Sequence, residues 1–528
     1  MEEKITEGDS ASSKSAYWLA KALGDPEKGK SRGECLGWMP MGISFLILCF
    51  LSFSMLWLGD HINASGMAVT RLLARAKAPV VAQFYPEDQR ERIALVMYDQ
   101  EFLDNNGTAW PISYSDHADW LLRLAGGDAK PKAILVDITF TQDREDPSLP
   151  ALKKALCTIT HEYKVPVFLA GLADNKTGRL MVRTGLDPDP GDGREPCFTL
   201  VGVSYEPDPV DRIAWQYPMT RHLRADGWQT GVAPDGNLPN YRSASLAMAQ
   251  DAAGLNLGPE TDPLALLWGY ASSPNTDPPT FLRYCEPGVS RWQMWIPGLF
   301  RKLWEHGPKK PVCPYHHTLS MAQVSALSDH DLATNIGGRF LIVGAAIPGY
   351  NDLVDSPIHG LIPGPYLHAM ALDNLLTFKG EYKLSTDWST PSPDLLAAAL
   401  IAVFAVFLVH IVFACARAKI RNANWIPSWL NGDSNDSHER PLRDALVRTI
   451  LWALRISFAT IAAILVIAFL QKWFRIGMLP VVELATMTIA AEAAGWLEKT
   501  RSYLARNTLA ILTEIRSRFE KLKALFEQ

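Results

Sequence analysis

One arrangement constrains this chain most: a long polar segment, from about Asp60 to Pro393, is bracketed by strongly apolar stretches. Ile43 to Leu58 precedes it, and Leu395 to Cys415, Ile450 to Leu470 and Leu479 to Leu497 follow it. A helix that crosses a bilayer needs about 20 mostly apolar residues, since each residue advances it by only about 1.5 Å. The stretches therefore predict transmembrane helices over 42–59, 394–416, 449–471 and 478–497. The first is the shortest and is bordered by Trp38, Met39 and Trp57; the second is interrupted only by His410. The third contains Arg455, and the fourth contains Glu483 and Glu492, which a surface helix could also carry.

Charge orients these helices. Lys14, Lys21, Lys28, Lys30 and Arg32 precede the first, and Arg417, Lys419 and Arg421 follow the second. Arg440, Arg443 and Arg448 precede the third, and Lys499, Arg501 and Arg506 follow the fourth. Positive flanks stay in the cytoplasm. This places 1–41, 417–448 and 498–528 inside and 60–393 outside, with Lys472, Trp473 and Arg475 in a short outer hairpin. The alternative, a cleaved signal peptide, finds only Ile62-Asn63-Ala64 as a poor cleavage pattern, which favours an uncleaved anchor. A net charge of −5, with no basic stripe, gives no sign of nucleic-acid binding.

Of seven cysteines, Cys35, Cys49 and Cys415 lie in or beside the apolar stretches, while Cys157, Cys197, Cys285 and Cys313 lie in the outer segment. In an oxidising compartment Cys157–Cys197 and Cys285–Cys313 are candidate bridges; the other reading is four separate buried thiols.

Within the outer segment, Ile93–Tyr98, Ala133–Val136, Val165–Ala170 and Phe340–Val343 are short apolar runs, the first two ending at Asp99 and Asp137. Helical stretches stand among them at Ser115–Ala125, which is amphipathic, Pro150–Glu162 and Tyr366–Leu376. Continuous apolar strands separated by helices predict an α/β domain, a parallel or mixed sheet covered by helices on both faces. The region from Arg179 to Lys310 reads as mostly irregular and aromatic-rich, with a helix at Ser243–Ala253 and a strand at Leu266–Tyr270.

These residues resemble a known family. Ile93–Asp99 with Trp110-Pro111, then Lys132–Phe140, then Ser245–Ala249, then Gly338–Gly344 through Asn351-Asp352, Ser356-Pro357, Pro363-Gly364 and His368-Ala369 follow the order of the type-2 CHASE domain. The resemblance covers about Arg92 to Leu376. It implies a bacterial extracytoplasmic sensor, here the periplasmic segment 60–393 of a multi-pass inner-membrane protein with both termini cytoplasmic. Family members have one anchor before the domain and three helices after it, and usually continue into a cyclase or kinase. This chain departs there: only Glu498–Gln528 remain, far short of the roughly 100 residues a catalytic domain needs. The expectation is a sensor of a small-molecule or protein signal that relays it to a separate cytoplasmic signalling or effector protein. A structural scaffold of an envelope assembly is the alternative, and self-association stays open.

Ligands of open α/β sheets bind beyond the carboxyl ends of the strands. Asp99, Asp137 and Asp352, with Asn351 and His368, could therefore line one crevice for a cation or polar ligand; the other reading is that they cap loops and helices. No phosphate loop, nucleophile elbow or His-Glu-x-x-His occurs, and Cys313 with His316-His317 matches no standard zinc spacing, so neither catalysis, cofactor nor metal is expected. Arg455 and Glu492 lie at roughly similar depth from the cytoplasmic side and could pair; Glu483 could reach Lys472 or Arg475. Leu504, Ile511, Ile515, Leu522 and Leu525 recur at near-heptad spacing among basic residues. That pattern suits a short coiled coil or a basic helix lying on membrane lipids.

Overall fold

A computed structural model describes residues 71–384, except 72–73, 76–77, 80–81, 192, 225–226, 231–239, 258–261, 271–278, 287–310 and 351, together with Ala397, Leu400, Ile401, Phe404 and Leu408. The chain divides into two compact units: Met1–Thr70, Asp387–Phe474 and Leu479–Gln528 form one, and Arg71–Thr386 with Arg475–Met478 the other. Of the first, Ala397, Leu400, Ile401, Phe404 and Leu408 are described; they are helical, and the last four are exposed. The expected spans at 42–59, 449–471 and 478–497, with Arg455, Glu483, Glu492 and the tail, lie outside the described residues. Among the described residues no helix is long and apolar enough to cross a membrane.

The second unit is an α/β domain. Its strands are β1 (Ile93–Asp99), β2 (Ala133–Val136), β3 (Val167–Ala173), β4 (Leu180–Met181), β5 (Thr199–Gly202), β6 (Gln216–Tyr217), β7 (Thr220–Arg224), β8 (Gly227–Thr230), β9 (Asn240–Arg242), β10 (Leu264–Ala265), β11 (His317–Ser320), β12 (Phe340–Ala346), β13 (Leu353–Ser356) and β14 (Gly360–Pro363). Its α-helices are α1 (Gln100–Asn106), α2 (Tyr114–Ala125), α3 (Leu149–His161), α4 (Ala244–Ala247), α5 (Met321–Ala326), α6 (Asp329–Ile336) and α7 (Pro365–Phe378). The main sheet runs β11-β1-β12-β2-β3-β4, with β5 also paired to β3. Every pairing in it is parallel except β3 with β4. The expected α/β sheet is thus present, in its mixed form.

Alternation along the strands splits the core between two faces. Ile93, Leu95, Met97, Leu135, Phe168 and Ile342 pack with α4, the turn after it and α7, through residues such as Leu246, Met248, Leu367 and Met370. Ala94, Val96, Tyr98, Ile134, Val136, Leu341 and Val343 pack on the other side with Leu121, Leu124, Leu152, Leu156 and Ile336 of α2, α3 and α6. Burial on both faces is why these strands are apolar runs rather than alternating ones.

Two disulfides are present, Cys157–Cys197 and Cys285–Cys313. They close loops of 40 and 28 residues. The first ties α3 to the approach of β5, where Thr160 also donates to the Cys197 carbonyl at 2.6 Å.

Several expectations are revised between Arg179 and Lys310. β5 belongs to the main sheet, and β7, β8 and β9 form an antiparallel sheet of their own. The strand expected at Leu266–Tyr270 is instead the two-residue β10 at Leu264–Ala265. Leu266, Trp268 and Tyr270 are buried as their pattern suggested. The backbone there is satisfied by a side chain: Asn374 of α7 accepts from the Leu267 N–H at 3.2 Å and donates to its carbonyl at 2.9 Å. The helix expected at Ser243–Ala253 begins as α4 and continues as a π-helical turn, Met248–Ala252.

Candidate functional site

Asp137 is the first residue beyond β2, and its N–H continues the sheet by donating to Val343 of β12 at 2.8 Å. Counting by twos from Ala133 and Leu135 puts its side chain on the α7 face. There His368, one turn into α7, holds its Nε2 3.6 Å from Asp137 Oδ2. That separation is longer than a hydrogen bond. Asp137 Oδ2 is buried and has no hydrogen-bond partner among the described residues.

His368 is held from behind. Its Nδ1 lies 2.7 Å from the Tyr217 hydroxyl. The Ser245 N–H donates to that hydroxyl at 3.3 Å, and Ser245 Oγ donates to the His368 carbonyl at 2.8 Å. With the Tyr217 oxygen accepting from the Ser245 N–H, its own proton is available to Nδ1, and in that tautomer the Nε2–H faces Asp137. Burial pushes His368 down to about 3, so the ring is neutral across the physiological range. Burial, and then the charge of Asp352, push Asp137 up to about 8.

Asp352 stands at the rim, in the loop between β12 and β13. The residue is exposed, yet its carboxylate lies where a Cβ on Gly364 would collide with it, and this shelter raises its pKa. Gly344, at the register position opposite Met97, likewise leaves room for the Pro365 ring at the start of α7. Both glycines let the first turn of α7 close on the end of β12, which brings His368 over Asp137.

The five expected residues thus do not all converge. Asp137, Asp352 and His368 come together. Asp99 does not join them: its Oδ1 accepts from the Phe102 N–H at 3.3 Å as the N-cap of α1, and its charged neighbour is Glu101. Burial raises Asp99 to about 6 despite the N–H groups that favour its charged form. Asn351 lies outside the described residues. Cys313, His316 and His317 also separate. Cys313 is in a disulfide, His316 Nε2 meets Asp373 of α7 at 3.1 Å, and His317 meets Asn335 at 3.0 Å. His316 immediately precedes β11 and His317 opens it, and successive residues of extended chain point to opposite sides, so the two imidazoles part.

Tyr217 and Ser245 were not picked out from the sequence as site residues. Ser245 opens one of the four pieces that carry the family resemblance, so a signal existed; Tyr217 had none. A second buried cluster lies farther along α7. The Tyr85 hydroxyl donates to Asp373 Oδ1 at 2.6 Å, and Thr377 donates to the same oxygen at 3.1 Å. Burial and Asp373 raise Tyr85 well above its usual value. This cluster joins the segment entering β1 to the helix by which the chain leaves the domain.

The CHASE2 domain family model matches residues 46–410. The chain belongs to the CHASE2 family. No curated protein and no solved structure matches it. CHASE2 domains are extracellular sensory domains, which agrees with the resemblance drawn from the four sequence pieces. Those pieces are now spatially coherent: they supply β1, β2 and β12, the three adjacent strands at the middle of the sheet, together with α4 and α7, which pack on one face. They also carry Asp137, Ser245, Asp352 and His368.

Proposed function

We propose that this chain is a membrane-anchored sensor subunit whose CHASE2 domain binds an extracytoplasmic signal, without catalysis, and relays it to a separate cytoplasmic protein. One observation carries this reading. The family match begins at 46 and ends at 410, inside the first and second apolar stretches, so the domain is bounded at both ends by segments that suit a bilayer. A domain tethered this way reports ligand binding as a shift of one tether against the other. The packing suits that role. Arg71, close after the first stretch, is bound to Asp208 at 2.7 Å, and the 208–217 segment leads to Tyr217 behind His368. On the exit side, α7 carries both His368 and Asp373. The last two apolar stretches and the basic tail after Leu497 then serve as the contact with the partner.

The test is cross-linking in intact membranes, followed by purification of the full chain and of a chain lacking Thr500–Gln528. The expected result is one cytoplasmic signalling or effector protein recovered with the full chain and lost with the shortened one. Recovery of no cytoplasmic protein by the full chain would overturn the relay. A constant extracytoplasmic partner held equally by both chains would favour an envelope scaffold.

A further inference from the structure

The crevice at the carboxyl ends of β2 and β12 is short of donors. Asp137 Oδ2 is buried, in a side chain only 5% exposed, and lacks a hydrogen-bond partner among the described residues. A buried carboxylate oxygen without a donor is costly, and such groups in folded proteins mark a missing partner. The protein does not supply one. Tyr217 has its hydrogen directed to His368 Nδ1, Ser245 donates to backbone, and the His368 Nε2–H stays 3.6 Å away. The next group toward solvent is a second carboxylate, Asp352, which repels the first.

We propose that this crevice binds a small organic cation bearing N–H donors, its ammonium seated on Asp137 at the floor and facing Asp352 at the rim. The inference rests on the sensor reading in that it names the signal's chemistry for the same domain. An ammonium provides both what Asp137 lacks, a donor, and what the two carboxylates require, a positive charge. The missing partner is a hydrogen-bond donor, which an organic ammonium supplies and a bare metal ion does not. Among the described residues no three His, Cys, Asp or Glu side chains are grouped to hold a metal ion.

The titratable groups facing Asp137 are Asp352 from the β12–β13 loop, His368 from α7 and Tyr217 from β6. Because Asp137 is raised to about 8, a proton competes with the cation, and binding strengthens as pH rises through that value. The experiment is thermal unfolding of the purified full chain with methylammonium chloride, against sodium chloride at equal ionic strength and against magnesium chloride. It is run at about pH 6.5 and about pH 8.5, on either side of the Asp137 value. The expected result is a rise in the unfolding midpoint with methylammonium alone, larger at the higher pH. Asp137→Asn should weaken the apparent affinity by about tenfold or more, and Asp352→Asn, at the exposed rim, by a smaller factor. The rim variant leaves the buried floor intact, so it reports even if the floor variant folds poorly. No methylammonium-specific shift, a shift that survives both substitutions, or a magnesium shift in its place would overturn the proposal. None of these would touch the relay, which is read from tail-dependent cross-linking.

Discussion

Asp99 and Asp137 end two strands of one sheet, yet only Asp137 reaches the crevice. The residues that follow decide this. Asp99 runs directly into α1, where the Phe102 N–H engages its Oδ1, while its Oδ2 is buried without a hydrogen-bond partner among the described residues. After Asp137 no helix begins until Leu149, so no N–H returns to it. The sequence places both carboxylates at strand ends, but which of them a helix terminus satisfies depends on backbone conformation. The same difference governs stability against pH. Asp137 and Asp99 keep a proton in the folded chain, to about 8 and about 6, that the unfolded chain releases near about 4. Their contribution is full at low pH and is lost as pH rises through the folded values. Burial holds His368 and His117 at about 3 and His359 at about 4, below their unfolded value of about 6.5. Their contribution is present at high pH and is lost as pH falls below that unfolded value. The two trends oppose, and of these five groups Asp137 is the one that still titrates well above about pH 6.5. In the absence of ligand, stability should therefore fall between about pH 6.5 and 8, by at most about 1.4 kcal/mol per unit. The unfolding midpoint of Asp137→Asn should stay flat over that interval; a wild-type fall that persists in this variant would refute the assignment.

At the scale of elements, β1, β2, β3 and β12 are legible because strands buried on both faces must be apolar at every position. β11 is not, since His317–Ser320 carries only one aliphatic residue, Leu319, and is recruited as an edge by pairing with β1. The Leu266–Tyr270 run shows the converse error. The apolar burial there came from packing, while the Leu267 backbone found its partner in Asn374, a side chain more than a hundred residues away in sequence. The approach of α7 to β12 is equally hidden, although its cause is a single residue. Gly344→Ala would drive a methyl group into the Pro365 ring. Overpacking of this kind costs about 1–3 kcal/mol. The full chain should unfold several degrees lower, and α7 should move away from β12, which would loosen His368 over Asp137. An unchanged midpoint would mean that the contact yields without cost.

For the whole molecule, the reading depends on sidedness. Alkaline phosphatase fused at about residue 390 should be active outside the cytoplasm, and the same reporter after Gln528 should be inactive. Activity at both sites, or only at the second, would remove the proposed orientation and the relay with it. The hydrophobic partition, the central parallel strands and the family were open to the sequence, because each follows from local composition and order. Membership of the site was open only in part, since Asp137, Asp352 and His368 were candidates while Tyr217 and Ser245 were not. Asp137, Asp352, His368, Tyr217 and Ser245 come from five separate stretches, and only the closing of α7 over β12 brings them together. The sheet's own pairing decided that β12 should sit between β1 and β2. No local pattern records that choice, since it arises from the summed burial of strands far apart in the chain.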